Sequence, residues 1–62
     1  MELDDEVKNK YIKSQGFRNL VATTKALLVS QNYTVEDIFN AIDVVKFQAE
    51  SEGFTIRENK EY

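Results

Sequence analysis

The chain has 62 residues, a formal net charge of −3, and no cysteine, histidine, tryptophan or proline. That length allows one domain, 1–62; disulfides are excluded, and the side chains that most often bind zinc are missing. A chain so short buries only ~60% of the surface its unfolded form exposes, which leaves regular helix packing and self-association as its sources of stability.

The opening Met1-Glu2-Leu3-Asp4-Asp5-Glu6 is acidic, where a signal peptide requires a basic stretch and then an apolar one. No apolar run approaches the ~20 residues that span a bilayer. An unprocessed chain in the cytoplasm is the expectation. Asp4, Asp5 and Glu6 suit the positive end of a helix dipole, and Leu3, Val7 and Tyr11 recur at one-turn spacing, so a first helix is predicted at about 5–14. In one straight helix running on past Gly16, Val7 and Tyr11 would lie roughly 100° from the apolar face that follows. The mismatch favours a break at Gly16, with Ile12 and Phe17 as the apolar pair of a glycine ending, over one long helix.

Phe17, Leu20, Val21, Thr24, Leu27 and Leu28 share a face and predict a second helix at about 17–31, with Asn32 as a left-handed stop. The third helix, about 35–52, carries the strongest signals. Thr34-Val35-Glu36-Asp37 resembles a capping box, and Gly53 is placed to end the helix in the left-handed conformation with Phe54 folding back on Ala49. Val35, Ile38, Phe39, Ala41, Ile42, Val45 and Ala49 make its broad apolar face, while Val44 and Phe47 fall outside it. The tail 54–62 alternates apolar and polar only at its start. Phe54 and Ile56 are expected to dock and the charged end to fray.

The short connection around Asn32 and Tyr33 predicts an antiparallel hairpin of the second and third helices. The architecture expected is therefore all-α: a helical hairpin plus a short N-terminal helix, assembled as a homo-oligomeric bundle, with a dimer as the simplest form.

Charge is unevenly divided. Residues 1–31 set Glu2, Asp4, Asp5 and Glu6 against Lys8, Lys10, Lys13, Arg18 and Lys25, whereas 32–62 carry seven acids against Lys46, Arg57 and Lys60. Glu36, Asp43 and Glu50 form a row at seven-residue intervals. In a hairpin, Lys25 would face Asp43 and Arg18 would face Glu50, so internal register pairing is the favoured reading of that row. The other reading is a landing strip for a basic partner helix, with Val44 and Phe47 as apolar anchors. Phe47 must be exposed, covered by the first helix or the tail, or buried against another chain.

Chemistry is poorly served. Without histidine or cysteine the commonest general base and the best thiol nucleophile are missing, and no phosphate loop or calcium loop occurs. No enzyme, cofactor or metal is expected. Three outward carboxylates on the third helix disfavour its use as a DNA-recognition helix. The sequence points to a protein–protein interaction module, a regulator, inhibitor or antitoxin-like partner of a larger macromolecule. A helix-turn-helix DNA-binding regulator and a structural subunit of a larger assembly are the alternatives. The candidate interface residues are Tyr11, Glu36, Asp43, Val44, Phe47, Glu50 and Phe54.

Overall fold

A computed structural model describes residues 2–59. It contains three α-helices, α1 (Asp5–Lys13), α2 (Gln15–Val29) and α3 (Val35–Glu52), and no strand among the described residues. Each helix starts on a side-chain cap. Asp4 accepts from the Glu6 amide at 3.1 Å, Ser14 from the Phe17 amide at 3.0 Å, and Thr34 from the Asp37 amide at 3.0 Å. At α3 the exchange is reciprocal, because the Thr34 amide donates to the Asp37 carboxylate at 3.0 Å. The shorter acid closes the box as a glutamate would.

The break between the first two helices falls at Ser14, not at Gly16. Ser14 is extended (φ −113°, ψ 112°), ends α1 through its amide to the Lys10 carbonyl, and caps α2 with its hydroxyl. Serine is a strong N-cap, and one extended residue suffices to change the phase of the helix. Gly16 lies within the first turn of α2 instead of ending α1.

Arg18 fixes this joint. Its guanidinium donates to the carbonyls of Tyr11 and Ile12 at 2.9 and 2.7 Å, and to the Gln15 side chain at 3.0 Å. It thereby satisfies acceptors that the end of α1 leaves without intrahelical partners. The Lys10 ammonium stands 5.3 Å from the Phe17 ring centroid, a second link across the joint.

The corner between α2 and α3 spans residues 30–34. Gln31, rather than Asn32, adopts the left-handed conformation (φ 64°). The Ser30 hydroxyl donates to the Leu27 carbonyl at 2.6 Å and accepts from the Asn32 amide at 3.3 Å. That bonding tightens the last turn one residue earlier than an asparagine stop would.

At the far end of α3, Gly53 is left-handed (φ 77°, ψ 28°), and the amides of Gly53 and Phe54 both donate to the Ala49 carbonyl, at 3.0 and 3.1 Å. The tail then turns back along α3 as far as the described residues run. Of the charged end expected to fray, Glu58 is instead paired with Lys46, and residues 60–62 lie outside the described ones.

The hairpin is not packed within this single chain. Among the described residues, no two Cα atoms twelve or more positions apart come within 8 Å. Neither Lys25–Asp43 nor Arg18–Glu50 pairs, and Arg18 is engaged at the end of α1. The radius of gyration is 13.8 Å, against about 10.6 Å for a compact domain of this length. Ala49 is the one buried residue among those described. The apolar faces required for a hairpin exist, yet each lies open.

Candidate interaction surface

Helical periodicity distributes the apolar residues of α3 around more than half of its circumference. On one side Ile38, Ala41, Ile42 and Val45 form the floor of a groove whose opposite wall is the returning tail, Ile56 to Asn59. The groove is open, with a volume of about 680 Å³. Beside it a smaller hollow lies between Ala49, Phe54 and Ile56.

The tail is held by an ion pair, Lys46 Nζ to Glu58 Oε1 at 3.0 Å, in which both side chains remain about half exposed. The hydrogen bond and charge of Glu58 raise the Lys46 ammonium above its ordinary value, and Asp43, one turn away, adds a smaller pull in the same direction. In so exposed a setting the pair positions the tail more than it strengthens the fold.

Away from the groove, Phe47 is 69% exposed and Phe39 63%. Val44 is also exposed, as are Glu36, Asp43 and Glu50. Neither α1 nor the described tail covers Phe47. Along α3, Asp43 and Phe47 are one turn apart, so the acidic row and the aromatic share a flank. Tyr11 and Phe54 are exposed too but belong elsewhere: no Cα of α1 comes within 8 Å of α3, and Phe54 lines the hollow with Ala49. The seven candidate residues thus divide into one continuous flank of α3, with Tyr11 and Phe54 outlying.

The α2 helix offers a second surface. Phe17, Val21, Thr24 and Leu28 are partly buried along one stripe, with Leu20 and Leu27 exposed beside it. Its only charges are Arg18 and Lys25, whereas α3 carries Glu36, Asp37, Asp43, Glu50 and Glu52 against Lys46 alone. A basic and an acidic amphipathic helix therefore follow one another in the chain and approach only beside the corner that joins them.

Reasoning from sequence missed the groove, because its tail wall depends on where the chain goes after Gly53. The alternation of Phe54 and Ile56 was the available signal. Opposite charges at Lys46 and Glu58 were a further one.

Among the described residues, no three carboxylates gather closely enough to hold a metal ion, and no helix is long and apolar enough to cross a membrane. The surface offers apolar contact bordered by charge. Comparison of the chain with protein-family models, curated proteins and solved structures finds no match.

Proposed function

We propose that this chain is a non-enzymatic protein–protein interaction module, a helical regulator, inhibitor or antitoxin-like partner that completes its core against another polypeptide. The observation that carries this reading is the surface left open. A packed monomer of this mass exposes about 4,100 Å², whereas the chain exposes 5972 Å². Large apolar side chains stand open in it: Phe39, Ile42, Val45 and Phe47 on α3, and Leu20 and Leu27 on α2, each between 39% and 69% exposed. Apolar area on this scale marks interaction surfaces in soluble proteins. A DNA-binding role is less well supported, since the outward carboxylates of α3 would meet phosphate.

The test is a comparison of baits. The full chain and its Phe47→Asp and Ile42→Asp variants are expressed in the native host and recovered after crosslinking. A defined partner should be recovered with the wild-type chain and depleted at least severalfold with the variants. Equal recovery of the same proteins by all three baits would remove the reading.

A further inference from the structure

We propose that the partner includes a second copy of this chain, and that α2 of each copy lies antiparallel along α3 of the other in a four-helix, two-chain bundle. The proposal rests on the reading that the module completes its core between chains, and names one occupant of the open surface. Area is the first argument. Each chain exposes roughly 1,800 Å² more than a packed monomer of its mass, so two chains sealing that excess would bury about 3,700 Å² together, within the range of obligate homodimers.

Charge is the second argument, and it selects which helices meet. All charge on α2 is positive, and all but one charge on α3 is negative. Two α3 helices brought face to face would oppose acid to acid, whereas α2 against α3 opposes Lys25 to Asp43. Neither of these two forms an ion pair within its own chain among the described residues. With Lys25 level with Asp43, an antiparallel pair sets Val21 level with Phe47 and Leu28 beside Phe39, apolar against apolar on the side of each helix that carries the charged pair.

The third argument is the corner. Residues 30–34 turn the chain, with Gln31 left-handed, so that α2 and α3 of one chain approach only beside the corner and do not pack along each other. A second chain with the same open arms supplies both missing faces by two-fold symmetry.

Light scattering on the full chain across micromolar to millimolar concentration, with Lys25→Glu and Asp43→Lys variants measured alone and mixed, tests this. The wild-type chain should reach a mass twice the 7.2 kDa of one chain and go no further. Each variant alone opposes like charges at both contacts and should associate about tenfold more weakly. Mixing the two variants restores an opposite pair at both contacts of the mixed dimer, so association should return to the wild-type level. Were the pairs made within one chain, mixing would change nothing. Failure of the mixture to recover overturns the crossed arrangement, and a mass that keeps growing overturns closure by two chains. A wild-type chain that stays single throughout overturns self-association while leaving a different partner, detected by the bait comparison, intact.

Discussion

Ser14 and Thr34 each set a helix start with one hydroxyl, and their energetics are local. Thr34→Ala removes the acceptor for the Asp37 amide and should cost about 1 kcal/mol, read as a lower midpoint in urea unfolding. The two glycines behave oppositely. A Cβ at Gly16 would meet nothing nearer than the Ser14 hydroxyl at 3.9 Å, inside a helical turn, so Gly16→Ala should stabilise by about 0.5–1 kcal/mol. Gly53 is left-handed at φ 77°, so Gly53→Ala should destabilise by about 1–2 kcal/mol although its surroundings are empty. Parallel urea titrations of the two variants should shift in opposite directions; a shared direction would contradict one of the two backbone assignments. The Thr34–Asp37 cap was legible in the sequence because its partners lie three residues apart, whereas the Ser14 cap was not read there. Glycine misled at residue 16, where the serine two positions earlier already ends one helix and opens the next. At the α2–α3 corner the hydroxyl of Ser30 moved the left-handed position to Gln31, which composition alone did not favour.

Among the described elements, the tail is the one joined to a helix by an ion pair. Lys46 is raised above its ordinary value by Glu58. A folded-state value above the unfolded one means the contribution is fully present below the unfolded lysine value and is lost as pH rises through the higher folded value. The Ile56 methyl signals in NMR spectra should therefore keep their docked positions through neutral pH and move only above the ordinary lysine range, near 10.5. In Glu58→Gln the Lys46 titration should return toward its ordinary value and the tail should loosen at neutral pH. Spectra unchanged by the substitution would show that the apolar residues hold the tail without the ion pair. Element existence was readable from the 3.6-residue spacing of Phe17 to Leu28 and of Val35 to Ala49. The groove was not, because periodicity states which residues require cover and leaves the covering segment unnamed.

At the scale of the whole molecule, the same limit explains the hairpin. A short connection and matched apolar faces are the signals behind the proposed pairing of α2 with α3, and those features are identical whether the two come from one chain or from two. Stability should accordingly depend on chain concentration, with the thermal midpoint rising as concentration increases. Ile42 separates the possibilities further. It is 48% exposed in the single chain, so truncation there would cost little in isolation. In an assembled core Ile42→Ala should cost about 2–5 kcal/mol per chain, measured by denaturation at matched concentration. A small cost together with a concentration-independent midpoint would mean that α3 keeps this face in water.

The five-residue corner also sets how far the arms can reach. Short, constrained hinges favour exchange of arms between molecules, and longer ones let a chain close on itself. Three glycines inserted after Asn32 would give α3 the slack to lie back along its own α2, with Lys25 beside Asp43 of the same molecule. The elongated variant should sediment as a single compact chain, and its melting should no longer respond to dilution. In that form the protein would have sealed its own seam and would lose the capacity to grip anything else.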